Sequence, residues 1–272
     1  MMKKLSIFLM AVLVALLAGC GGTEVTNDLP VVQDLQLDAT STGRTIVLVW
    51  SAVDDVDGYK IYFKTDGAGD WISAGEVTGT TYTHNAVNAG TYSIRAYKGD
   101  NHSAEYSATV STMPMVIDVS YSIYDNYSAG DKPSGFIFGP DSGATGMASS
   151  ADFLQDIYAY DESKGDEDVW LYSGNFGTFG NGRQSYFQTP ASGVYGNCDP
   201  DGQWITNSYE LYTTDSVVFV ELPYQSGTTS AYAKMYGLTV TADETENGTV
   251  VTFMYEYQSN TLGLTLFTSN AI

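Results

Sequence analysis

The chain has 272 residues, with 32 acidic against 11 basic side chains and a formal net charge of −21. A surface this acidic excludes nucleic acid and electrostatic docking on anionic lipid, and leaves cations, neutral glycans, apolar ligands and basic proteins as partners. The length allows one large or two ordinary domains whose core needs no staples, and abundant Tyr (21) and Gly (28) with few Leu, Lys or Glu favours strands and turns.

Lys3 and Lys4 precede an apolar run over 5–17, and small residues then lead to Cys20. A cationic start, a short apolar stretch and a small-residue processing site make a secretory signal. At ~1.5 Å per residue the run reaches about 20 Å, short of a ~30 Å hydrocarbon core. Leu17-Ala18-Gly19-Cys20 resembles the bacterial lipoprotein lipobox, which implies that residues 1–19 are removed and that Cys20 carries lipid. Loss of Lys3 and Lys4 takes the net charge to about −23. Cys198 is the other cysteine of the sequence, so a lipidated Cys20 leaves no intrachain disulfide and one thiol, expected to be semi-buried. Residues 20–30 are small, polar and turn-rich, the composition of a flexible tether behind the lipid. In lipoproteins of this kind a residue other than Asp after the cysteine, here Gly21, goes with export to the outer membrane. The expectation is a protein held to the outer membrane or cell surface of a bacterium, the membrane being its partner through the lipid.

Seven short strand candidates follow, at 31–40, 44–52, 58–65, 71–77, 80–83, 90–98 and 103–110, the spacing of a sandwich. Ile46, Leu48 and Trp50 share one face at period two, as do Tyr59, Ile61 and Phe63, and Tyr92, Ile94 and Ala96. Leu35, Val49-Trp50-Ser51, Gly58-Tyr59-Lys60-Ile61-Tyr62 and Gly90-Thr91-Tyr92-Ser93-Ile94-Arg95-Ala96 together make residues 31–113 resemble a fibronectin type III domain. The resemblance implies that Trp50 and Tyr92 are core, and that the Tyr92 hydroxyl ties a loop to backbone as a tyrosine corner. It carries no RGD-type adhesion tripeptide, which points to a spacer or interaction role.

Pro114 in Met113-Pro114-Met115 cannot donate to a continuing strand and marks a boundary. Residues 116–272 then form a second, Tyr- and Gly-rich unit that holds 15 of the 21 tyrosines and only four basic residues, Lys132, Lys164, Arg183 and Lys234. Strands are expected at 116–123, 134–138, 153–160, 169–173, 184–188, 208–212, 216–222, 232–241, 249–258 and 261–267, with a hairpin loop over 242–248 ending in Asn-Gly. A short helix over 151–158 is the alternative there. The fold class expected is all-β: a fibronectin type III sandwich followed by a larger, mostly antiparallel β domain.

Chemistry is sparse. His84 and His102 both fall in the first unit, so the second cannot build a Ser-His-Asp device or a His-ligated zinc from its own residues. The Gly-rich stretch 174–182 lacks the Lys-Ser/Thr and helix of a phosphate cradle, and its Phe176 and Phe179 are expected to tuck into the core or project into a cleft. Asn197-Cys198-Asp199-Pro200-Asp201-Gly202 imitates half of a calcium loop, but its twelfth position is Ser208 rather than Glu. The acidic run 161–168 reads as a solvated turn, and a glycosidase pair would need two carboxylates about 5–10 Å apart that nothing in the sequence selects.

Three elements, Ser216-Val217-Val218-Phe219-Val220, Tyr232-Ala233-Lys234-Met235-Tyr236-Gly237-Leu238 and Val251-Thr252-Phe253-Met254-Tyr255-Glu256-Tyr257-Gln258, resemble the C-terminal half of HmuY-like haem-binding lipoproteins. Bis-histidine ligation in that family has no counterpart in this unit, and Met147, Met235 and Met254 are the soft side chains left as axial candidates. The reading is of a lipid-anchored, non-catalytic ligand-binding or adhesion protein with no required cofactor, whose partner is a protein, glycan or small molecule. Haem or Ca²⁺ binding and a carboxylate-dependent, glycan-acting enzyme are its competitors. No catalytic or metal-ligating residue is assigned, and Cys20 is the one site residue.

Overall fold

The computed structural model describes residues 29–65, 69–127, 132–139, 142–145, 155–162, 169–177, 182–191, 194–199, 201–211, 217–223, 230–243, 248–258 and 262–269, and the regular elements among them are all β-strands. The leader, Cys20 and most of the tether lie outside the described residues.

Eight strands build the first sandwich: β1 (Gln36–Leu37), β2 (Thr45–Val49), β3 (Gly58–Thr65), β4 (Ile72–Val77), β5 (Thr81–Asn85), β6 (Gly90–Lys98), β7 (Asn101–His102) and β8 (Val110–Ser111). One sheet runs β1-β2-β5 and the other β4-β3-β6-β7, with β8 also on β6. This two-sheet strand order is that of a fibronectin type III-like domain. The alternating residues read from sequence all point inward: Ile46, Leu48, Trp50, Tyr59, Ile61, Phe63, Tyr92, Ile94 and Ala96 are buried in one cluster. At about 1.5–3 kcal/mol per large apolar side chain, these nine dominate the stability of the unit. The predicted strand 103–110 is interrupted. The Ser107 hydroxyl accepts the Ile94 N–H (2.9 Å), and within this span only Val110 belongs to a strand, β8, although the Ser103 and Ser107 N–H groups still donate to Ala96 O and Ile94 O (both 2.9 Å).

The second sandwich has eleven strands: β9 (Met115–Tyr124), β10 (Gly135–Ile137), β11 (Gly143–Thr145), β12 (Ile157–Tyr160), β13 (Val169–Ser173), β14 (Tyr186–Gln188), β15 (Ile205–Thr206), β16 (Ser208–Leu211), β17 (Val217–Leu222), β18 (Ala231–Asp243) and β19 (Gly248–Gln258). A five-stranded sheet, β11-β10-β12-β13-β16, packs on a six-stranded one, β15-β14-β17-β18-β19-β9, and every pairing among the named strands is antiparallel. Phe136, Ile157, Leu171 and Leu211 from one sheet meet Val218, Val220, Met235 and Phe253 from the other in the core between them.

Several expectations change. The helix alternative for 151–158 is excluded where the chain is described, because Ile157 and Tyr158 pair with Ser173 and Tyr172 in β12 and β13. Strands β11 and β15 have no counterpart among the expected strands, being three and two residues long and without alternation. At Asn207 (φ 74°) the chain leaves one sheet at β15 and enters the other at β16, a left-handed step that Asn tolerates. Asp161, read as part of a solvated turn, is buried and its N–H donates to Asn126 Oδ1 (2.7 Å).

The predicted strand 261–267 is instead a strap between the two sandwiches. Leu264 and Leu266 lie in the core of the first sandwich, and their backbone makes only isolated bridges to Gly43 and Asn197. Ala89 N–H donates to Phe267 O (2.8 Å), while Phe267 itself packs on β17 and β18. Gln258 Nε2 donates to Thr112 O (2.8 Å) and Leu266 O (2.5 Å), closing the same joint from β19.

Candidate ligand cleft beside the joint

From Val217 to Val220 strand β17 is apolar and buried on both faces, the pattern of a strand covered on both sides. Val218 and Val220 enter the main core, whereas Val217 and Phe219 point outward, where Cys198, Tyr232, Tyr236 and Phe267 cover them. Between the end of β14 and this cover lies a cleft of about 450 Å³, with Phe219 at its floor and Pro190, Ala191, Val194 and Ile205 along its sides. Its polar lining is Gln188, Thr189, Asn197, Asp199 and Gln203.

Local hydrogen bonds fix this lining. Gln188 Nε2 donates to Asp199 O (3.0 Å) and Gln188 Oε1 accepts the Asp199 N–H (2.9 Å), so one carboxamide holds both backbone polar groups of Asp199. Asp199 Oδ1 accepts the Asp201 N–H (3.1 Å), and Gly202 N–H donates to Asp199 O (3.1 Å), which makes the calcium-loop look-alike a self-contained turn. Asn197 Nδ2 donates to Val87 O of the first sandwich (2.6 Å), and Phe267 N–H donates to Gly196 O (2.7 Å). The wall of the cleft is therefore tied to the strap. Among the described lining residues no lysine, arginine or histidine stands, and Asp199 is the one carboxylate.

Other polar groups serve the framework. Cys198 is buried under the turn, and burial pushes its thiol far above the usual range. Tyr232, beside Trp204, is pushed up to about 12 by burial and then by Glu221. Lys234, fully buried on β18, faces Glu256 on β19 (3.4 Å) and donates to Thr268 O (2.8 Å). Glu256 Oε2 accepts the Thr268 N–H (2.8 Å), and the Thr268 hydroxyl donates to Oε1. The Tyr-Ala-Lys and Tyr-Gln elements thus anchor the strap through Lys234, Glu256 and Gln258.

The remaining predicted residues are dispersed. The Tyr92 hydroxyl meets His84 Nδ1 (2.7 Å) across the sandwich and does not form the expected tie to backbone; it is the Tyr59 hydroxyl that accepts a loop N–H, from Val53 (2.8 Å). Burial lowers the His84 pKa, keeping the ring neutral. His102 lies in β7 beside Tyr97, on the opposite sheet from His84. Met235 is in the main core and Met254 packs on the outer face of the same sheet, so the two do not converge; Met147 lies outside the described residues.

In the Gly-rich stretch, a Cβ at Gly174 or Gly182 would meet Gln155 O at 2.1 or 2.2 Å, so both glycines serve close packing. Phe176 tucks against Tyr172 (5.2 Å between rings) and accepts the Tyr158 hydroxyl at its carbonyl (2.5 Å), while Phe179 lies outside the described residues. Burial raises the Asp156 pKa, with Arg183 at 2.5 Å opposing the shift, but Asp156 does not line the cleft. No group of three or more His, Cys, Asp or Glu suited to a metal ion occurs among the described residues.

No protein-family model and no curated protein matches the chain. Among solved structures, the chain is similar to titin kinase with its flanking domains (10% identity, TM-score 0.30), covering 84% of this chain and 38% of that one. It is also similar to the FN1–FN3 domains of chicken CNTN1 (11% identity, TM-score 0.26; 83% and 62% covered). The twitchin kinase region of C. elegans gives 14% identity and a TM-score of 0.25, with 60% and 33% covered. The chain spans less than two thirds of each of these proteins.

Proposed function

We propose that this chain is an exported, lipid-anchored, non-catalytic binding protein, and that the cleft over Phe219 holds its ligand. The observation that carries the reading is a mixed-polarity cleft in which two carboxamides, Gln188 and Asn197, are already fixed by the fold. Its volume falls in the roughly 300–1,000 Å³ range of small-ligand sites. A described lining with one carboxylate and no base beside a nucleophile favours holding over turnover. The anchor rests on the leader and on Cys20. Val32, the first buried residue among those described, follows Cys20 by 12 positions, a reach of roughly 40 Å at full extension, so the first sandwich would stand close to the membrane.

Two measurements test this. Cys20→Ala should move the protein from the membrane fraction to the soluble or unprocessed pool, and unchanged membrane retention would sink the anchor. Melting of the mature chain against neutral, cationic and anionic small molecules, haem and Ca²⁺ should show stabilisation by a small ligand, lost in Val194→Trp, which fills the cleft mouth. Indifference to the whole set would remove the binding role.

A further inference from the structure

From the chemistry of the lining, and resting on the reading of the cleft as a ligand site, we infer that its ligand is a neutral saccharide, taken as one or two sugar units. Among the described residues the cleft lining holds no ammonium, guanidinium or imidazole for an anionic ligand, and the −21 chain repels one. What it offers is three carboxamides, a hydroxyl and one carboxylate around an apolar floor. A carboxamide donates and accepts in one plane, and a carboxylate accepts at up to four sites, so the set matches hydroxyl groups that each need both a donor and an acceptor. A pyranose presents such a hydroxyl rim around an apolar C–H face, and Phe219, Ile205 and Val194 are the complementary apolar surface.

Preorganisation favours the same ligand class. Gln188 is held by Asp199 at both ends of its carboxamide, and the Nδ2 of Asn197 is held by Val87 O. Ordering them costs little further entropy on binding. Gln203 and Thr189 line the cleft as exposed side chains and are the contacts a sugar would complete. The volume suits a terminal unit or a disaccharide better than a polymer lying lengthwise.

The test is calorimetric titration of the mature chain with methyl hexosides, N-acetylhexosamine and neutral disaccharides, alongside glucuronate, choline and haem. At least one neutral sugar should bind at a single site, and its acidic counterpart should bind at least 10-fold more weakly. Gln203→Ala should weaken the sugar about 3- to 10-fold, the loss of one or two neutral hydrogen bonds, with an unchanged melting temperature because the residue is exposed. Val194→Trp should abolish binding. If choline or haem binds in a manner that Val194→Trp blocks while every sugar fails, the saccharide assignment is overturned and the cleft stands as a site. If no probe binds, both fail.

Discussion

Lys234 and Glu256 form a fully buried ion pair between directly opposed strand positions, and both are also bonded to Thr268 of the strap. Such a pair is weak evidence for stability as a whole, because desolvation offsets most of the attraction. Removing one partner is different, since the other charge is then left buried and uncompensated. Glu256→Gln should therefore cost about 3–5 kcal/mol in urea unfolding. The double variant Lys234→Met/Glu256→Leu should cost less than the sum of its single changes, because neither charge remains. A single-variant loss below about 1 kcal/mol would mean the pair does not hold the strap. Lys234 is conspicuous in sequence as the end of Tyr-Ala-Lys, yet its partner lies 22 positions away and Thr268 a further 12 beyond that. Residue spacing at period two places a side chain on a face, and which group waits there is a matter of register.

At the level of elements, strand existence followed from alternation wherever one face met a core. β3, β6 and β13 occupy the predicted spans, and β17, β18 and β19 shift by at most two residues at either end. The exceptions are instructive. Residues 262, 264 and 266 alternate as a strand would, and their apolar side chains are indeed covered, but by the first sandwich rather than by a neighbour in the second sheet. Hydrophobic period reports that a side chain is buried and is silent about which body buries it. Leu266→Ala should accordingly cost about 2–5 kcal/mol, and the loss should fall on the first sandwich as well as the second. Amide hydrogen exchange reads this directly. Protection in β2 and β6, more than 150 positions upstream, should drop with that of β19, and a loss confined to β18 and β19 would contradict the shared core.

For the whole molecule, the fold brings the wall of the cleft, the strap and the end of the first sandwich to one place. Asn197 lines the cleft and bonds to Val87, Phe219 forms the floor and its ring lies 5.5 Å from that of Phe267, and Phe267 bonds to Ala89. Half of this was legible in sequence. The turn 197–202 is conspicuous in sequence for its spaced oxygen side chains, and in the fold one of them, Asp199 Oδ1, accepts the Asp201 N–H. Gln188, Thr189, Gln203 and Ile205 gave no sequence signal, because single amides and aliphatics on separate strands acquire meaning only when β14 and β15 pair. Amide correlation spectra of the mature chain, titrated with the tightest-binding neutral sugar, test the cleft most directly. Perturbations centred on residues 188–205 and Phe219, fading across the strap toward Val87, are the result expected. Shifts centred on the outer face of β3 and β6, or none at saturating sugar, would contradict it.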